Sequence, residues 1–185
     1  QTTRERTHVG PLRMVMLTMS SKDPLLQPFQ LRHLTLKNRI MSTSHTMLYS
    51  VDGAPQQRYQ LYHEEKAKGG IALTMFGGSS AVTQDSATAS GVINLTSDSV
   101  IPYFQQFAER IHQDDWALMC QITHLGRRAN ARTWDWLPTV SSSRSREVDG
   151  SFPKVMDRDD IHRIVKAYGE AALRCKEGGL DGCEV

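Results

Sequence analysis

The chain has 185 residues, with 22 basic against 20 acidic side chains and a formal net charge of +2. That length is enough for one good-sized domain with its own core, and so even a balance gives no case for a nucleic-acid binder. No apolar run approaches the roughly 20 residues that span a bilayer, which argues against a membrane partner.

Residues 1–22 read as a polar, mobile lead-in, and residues 23–185 as the folded domain. From about residue 36 strand-like and helix-like stretches alternate. "NRIMSTS" (38–44) is short and partly apolar, and the Gly/Pro-containing loop "SVDGAP" follows. Residues 56–68, "QQRYQLYHEEKAK", predict a helix with Tyr59, Tyr62 and Ala67 on its buried side and a stop at Gly69-Gly70. "IALTMF" (71–76) is a continuous apolar run of strand length, a pattern that suits a strand covered on both faces.

The unit then recurs. Asp98 is a candidate N-cap for a helix carrying Val100, Ile101, Phe104, Phe107, Ala108 and Ile111. "WALMCQI" (116–122) is the next apolar strand. After a long segment, 123–156, a helix starting at Asp157 carries Ile161, Ile164, Val165, Tyr168, Ala171, Ala172 and Cys175. Asp157 and Asp160 are spaced as a capping box with aspartate in place of glutamate, and Gly178-Gly179 closes the helix. "LDGCEV" opens a fourth strand. "EKAKGGIALTM" and "CKEGGLDGCEV" repeat one order, helix end, Gly-Gly, strand, as a repeated βα unit does. Strands alternating with helices predict a parallel α/β fold, in which ligands meet the carboxyl ends of the strands.

Cys120, Cys175 and Cys183 lack CxxC spacing, so neither a disulfide framework nor a zinc or other metal site is indicated. They read as buried thiols of a cytoplasmic protein. The stretch "CQITHLGRRANARTWDWLP" (120–138) places Gln121 at a strand end, with His124, Arg127, Arg128, Trp134 and Trp136 on the loop above it. That loop far exceeds the usual βα connection of about 2–6 residues, which points to function or to a surface flap. Gln121 suits either backbone capping or a ligand needing both a donor and an acceptor. His124 suits proton transfer, substrate binding or a structural hydrogen bond, and His45 carries the same ambiguity. His33, His63, His112 and His162 read as surface residues.

"LTLKNRIMSTSHT", "YHEEKAKGGIALTMFGGSS", "QITHLGRR" and "GGLDGCEV", in this order from about Pro24 to Val185, resemble the amino-terminal part of the FMN-containing old yellow enzyme superfamily. The resemblance is nearest to its trimethylamine dehydrogenase and 2,4-dienoyl-CoA reductase branch, and within it to N-methylproline demethylase-like proteins. It implies an eight-stranded β/α (TIM) barrel with FMN across the carboxyl ends of the strands. About three and a half βα units of the roughly 250 residues of such a barrel are present, the chain stopping in strand four. The resemblance sets Ser44, His45, Thr46, Gly77 and Gly78 beside the isoalloxazine ring and Gln121 on its pyrimidine edge. Thr46 stands about where some relatives carry a flavin-linking cysteine, so non-covalent FMN is expected.

Phe76, His124, Arg127, Trp134 and Trp136 are the substrate-facing candidates, supplying π-faces to a cationic amine and a guanidinium to a carboxylate. The family's catalytic pair, and any iron–sulfur cluster or second nucleotide cofactor, would lie beyond Val185. The implied partners are a small-molecule substrate, the remainder of the polypeptide or a companion fragment, and a second copy in a homo-oligomer. The implied activity is oxidative N-demethylation of an N-methylated amino acid or betaine-like amine. Reduction of an enoate or 2,4-dienoyl-CoA by NAD(P)H, and a non-catalytic half-barrel subunit, are the alternatives.

Overall fold

The computed structural model describes residues 22–86, 91–129, 139–148 and 150–185. A hairpin of β1 (Phe29–Leu31) and β2 (Leu34–Leu36) comes first, followed by β3 (Met41–Ser42), α1 (Gln57–Lys68), β4 (Leu73–Ala81), α2 (Ile101–His112) and β5 (Ala117–Thr123). The excursion after β5 holds the short pair β6 (Val140–Ser141) and β7 (Lys154–Val155). Then come α3 (Arg158–Glu177) and β8 (Gly182–Glu184). β3, β4, β5 and β8 form one sheet in that order, every pair parallel.

Side-chain alternation divides the sheet into two faces. Phe76, Leu118, Cys120 and Ile122 enter the core shared with the helices, where Tyr59, Phe104, Phe107, Ile111, Ala171 and Cys175 meet them. Leu73, Met75, Ala117 and Met119 point the other way, onto Leu34 and Leu36 of the hairpin. The hairpin therefore plugs the inner face near the strands' amino ends and leaves the carboxyl ends clear.

Helix ends follow the sequence closely at α3. Asp157 accepts from Asp160 N at 2.9 Å while Asp160 Oδ2 accepts from Asp157 N at 3.1 Å, completing the capping box. Asp98 does not cap α2. It begins a 3-10 turn, Asp98–Val100, and its carboxylate instead takes Arg174 Nε at 2.8 Å, tying the start of α2 to α3. Ile161 and Val165 of α3 are exposed together with Leu173. All three cysteines are free, Cys120 and Cys175 buried and Cys183 partly so. Among the described residues no helix is long and apolar enough to cross a membrane.

His63 is not the surface residue its polar neighbours suggest. It is buried, stacked on Tyr59 with 5.5 Å between ring centroids, and its Nδ1 lies 2.7 Å from Thr74 Oγ1. Burial, with the nearby charges of Lys66 and His45, lowers its pKa to about 3. An unfolded chain binds a proton there near pH 6.5 while the folded ring stays neutral. Stability from this residue is thus whole above about pH 6.5 and is lost as pH falls toward 3, by about 2 kcal/mol at pH 5. His63→Gln, which keeps an amide beside Thr74 but cannot titrate, flattens this part of the pH dependence in urea unfolding; an unchanged profile would remove His63 as its source.

Candidate functional site

The carboxyl end of β4 departs from regular pairing. Its residues match β5 from Leu73↔Ala117 to Phe76↔Cys120, and pairing resumes only at Ser80↔Ile122. Residues 77–79 therefore bulge opposite the single residue Gln121. Gly77 and Gly78 adopt φ of +107° and +77°, and neither site has room for a side chain. A Cβ on Gly77 would lie 2.6 Å from Gln121 O, and one on Gly78 would lie 2.4 Å from the carbonyl carbon of His45. Only glycine permits this backbone to come so close to its neighbours.

The bulge thus gathers the predicted residues of three strand ends. Ser44, His45 and Thr46 follow β3, and the backbone of His45 and Thr46 lies against Gly78. Thr46 Oγ1 is 2.9 Å from Ser79 Oγ, and His45 Nε2 is 3.2 Å from Tyr62 Oη of α1. Ser44 is half-buried, while His45 and Thr46 are exposed. Gln121 is half-buried at the carboxyl end of β5 and alternates onto the inner face, away from Cys120 and Ile122. Its register partner in β8 is Glu184.

The substrate-facing candidates are not brought together there. Phe76 is fully buried on the helix side, its ring 4.9 Å from Phe107 and 5.4 Å from Phe104, so alternation removes it from the strand-end surface. His124 turns inward as well. Its Nδ1 accepts from Gly126 N at 3.0 Å, its backbone N donates to Tyr168 Oη at 2.8 Å, and its Nε2 is 3.7 Å from Asp85 Oδ1. The imidazole is buried, and its Nε2 makes no hydrogen bond among the described residues. Arg127 Nε lies 3.5 Å from Glu147 Oε1, and its guanidinium also donates to Ser145 Oγ at 3.4 Å, so the excursion after β5 already engages it. Trp134 and Trp136 lie outside the described residues.

Asp85 is the residue that sequence reading missed. Arg163 of α3 donates to both its oxygens, at 3.2 and 2.8 Å. Burial acts to raise its pKa, yet His124 and Arg163 together hold the carboxyl well below the usual carboxylate range. Flanked by glutamine and serine in a single 3-10 turn, it carries no one-dimensional sign of a partner 78 residues away.

Residues 24–185 match the model of the NADH:flavin oxidoreductase / NADH oxidase family. The chain belongs to this family. It is 54% identical over 169 residues to the multifunctional alkene reductase/demethylase OYE of Caballeronia cordobensis, covering 91% of this chain and 25% of that protein. It is 44% identical over 164 residues to the "Probable N-methylproline demethylase" of Rhizobium meliloti (strain 1021), covering 88% of this chain and 24% of that one. Among solved structures, morphinone reductase in complex with tetrahydroNAD superimposes with a TM-score of 0.79 at 23% identity, over 88% of this chain and 49% of that chain. The chain therefore spans about a quarter of these curated relatives and about half of a solved old yellow enzyme barrel. The expected fold stands: these βα units are the amino-terminal part of a TIM barrel. Members of the family are FMN-dependent oxidoreductases, old yellow enzymes bind FMN without a covalent bond, and Thr46 offers no thiol for one.

In this NADH:flavin oxidoreductase chain the bulge tolerates no side chain, and that is measurable. Gly78→Ala combines positive φ with a backbone overlap and costs about 2 kcal/mol or more. Gly70→Ala shares a positive φ, +105°, but its Cβ meets nothing within 4 Å, and it costs about 1 kcal/mol. Denaturant midpoints of the two variants test the difference; equal losses would mean that the crowding at Gly78 is relieved cheaply.

Proposed function

We propose that this chain supplies the amino-terminal part of the flavin-binding barrel of an oxidoreductase that oxidatively demethylates an N-methylated amino acid or betaine-like amine. The observation that carries the flavin-binding part is the pairing of an inward-facing side-chain amide, Gln121, with a side-chain-free backbone at Gly77–Gly78 on the same strand ends. The residues fit a flat heteroaromatic ring. A bare glycine backbone lies close to a planar surface, and an amide offers a donor and an acceptor together to an edge that presents N–H beside C=O. Ser44, His45 and Thr46 complete the rim of this platform.

Bound FMN supplies hydride exchange at its N5. Gln121 orients the ring and donates toward the pyrimidine edge, where negative charge gathers on reduction. Where the nitrogen keeps a lone pair, as in a secondary or tertiary N-methyl amine, loss of a hydride from the N-methyl carbon leaves an iminium. Water adds to it, and formaldehyde, the demethylated amine and a proton are released. The demethylase names of the two curated relatives support this choice of substrate.

The alkene reductase in the first relative's name favours a second reading on the same site, with hydride passing from reduced flavin to an activated C=C bond. Trp134 and Trp136 remain the substrate-facing candidates. The remainder of the barrel is the partner we propose for the exposed stripe Ile161, Val165 and Leu173 and for β8. The free thiols accord with the cytoplasm, where cysteines stay reduced.

The test uses the full polypeptide that carries this segment, loaded with FMN. Anaerobic addition of N-methylproline or sarcosine bleaches the flavin's visible absorbance and releases formaldehyde. Bleaching by NADH alone, with reoxidation by an enone and no formaldehyde from either amine, selects the reductase instead. Gln121→Leu weakens FMN binding about tenfold, the equivalent of ~1.4 kcal/mol for a lost hydrogen-bonding amide, and leaves the unfolding midpoint of the apoprotein in place. Unchanged FMN affinity would remove Gln121 from the site.

A further inference from the structure

We propose that Tyr59 of α1 is a positioning residue for the cofactor site, its hydroxyl holding the β4 bulge in the shape that receives a flat ring. The inference deepens the flavin-binding reading and rests on it. Tyr59 lies in the helix layer, on the far side of the sheet from the inner face. It is 1% exposed, stacked on His63 and edge-on to Phe76 and Phe107 at 6.2 and 6.3 Å. From there its Oη accepts from Gly77 N at 3.1 Å.

The bulge creates the need for that contact. Regular pairing with β5 stops at Phe76 and resumes at Ser80, so the sheet leaves the amide of Gly77 without its usual partner. A buried N–H without an acceptor is costly, and Tyr59 meets it from behind. The consequence passes directly to the strand ends. Gly77 is held with Gln121 O and Ser80 Oγ where its Cβ would be, and Gly78 with the His45–Thr46 backbone where its own would be. Freed from Tyr59, residues 77–79 shift, and His45, Thr46 and the Gln121 backbone shift with them. The ring of Tyr59 fills core space that phenylalanine fills equally well, so the hydroxyl alone carries the positioning role.

The test compares the FMN-loaded full polypeptide with Tyr59→Phe and with Phe107→Leu, which touches the Tyr59 ring but not its hydroxyl. Tyr59→Phe weakens FMN binding about threefold to tenfold, displaces the flavin's visible band, and speeds hydrogen exchange at the Gly77 amide. Phe107→Leu lowers the unfolding midpoint while flavin affinity and spectrum stay as in the parent. Tyr59→Phe with the parent's affinity and spectrum overturns the proposal, even if its stability falls. Should Tyr59→Phe fail to fold, a fluorinated tyrosine at 59, nearly the same shape but a weaker acceptor, gives the same readings. A parent protein that binds no FMN sinks the flavin reading instead, and Gly77 exchange in the apoprotein then still reports whether Tyr59 anchors the bulge.

Discussion

The close approach of three backbones at Gly77–Gly78 is the constraint on which the strand-end surface depends. β3 offers only two paired residues, Met41 and Ser42, so the segment after it has little sheet of its own to hold it. Contact with Gly78 fixes that segment, and contact with Gln121 O fixes the other side of the bulge. The extra residues of the bulge break the ladder but gain a surface without side chains. A regular strand here would have presented a Cβ at every second position and kept a planar ligand at arm's length.

A second set of contacts keeps the loops above this surface in place. Asp85 follows β4, His124 follows β5, and Arg163 and Tyr168 belong to α3, so the group links three successive βα units. Its members lie well apart along the chain, so each contact closes a long loop. Paired with Arg163 through two oxygens, Asp85 stays ionised in a setting that burial alone would make unfavourable. Ser86 continues the tie, donating to Thr123 O at 3.3 Å and accepting from Leu125 N at 3.0 Å. The "HLGRR" turn is thereby stitched to its neighbours, with Arg127 drawn toward Glu147.

Much of the architecture was legible because its signals are one-dimensional. Apolar runs of strand length, two Gly-Gly stops and the Asp157/Asp160 box specify β5, α1 and α3 within a residue or two and the start of β4, which runs on past Phe76 to Ala81. β1–β2 and β6–β7 were not legible, since strands of two or three residues carry no pattern. The faces of the elements were also hidden. "IALTMFGG" has apolar residues on both faces, so nothing in it says that Phe76 faces the helices while Met75 faces inward. In α1 the polar neighbours of His63 masked a buried imidazole that only the Thr74 hydroxyl and the Tyr59 ring explain. Asp98 had a capping residue's position, but Arg174 competes for its carboxylate more effectively than the helix amides do.

The open side of the sheet follows from the same geometry. β3 and β8 are its outer strands, and the β8 edge away from β5 has no strand beside it among the described residues. On the neighbouring helix Ile161, Val165 and Leu173 recur at multiples of four, which sets them in one row along α3, exposed. An isolated surface leucine needs no explanation, but a row of apolar side chains beside an unpaired strand edge is costly to leave in water. On the proposed barrel completion, a further strand would pair with β8 and its helix would cover the row, removing both costs at once. Both exposed features lie away from the strand ends that gather Gln121 and the glycine bulge, so the sheet edge and the helix row can take a neighbour without disturbing the backbone approach at Gly77–Gly78.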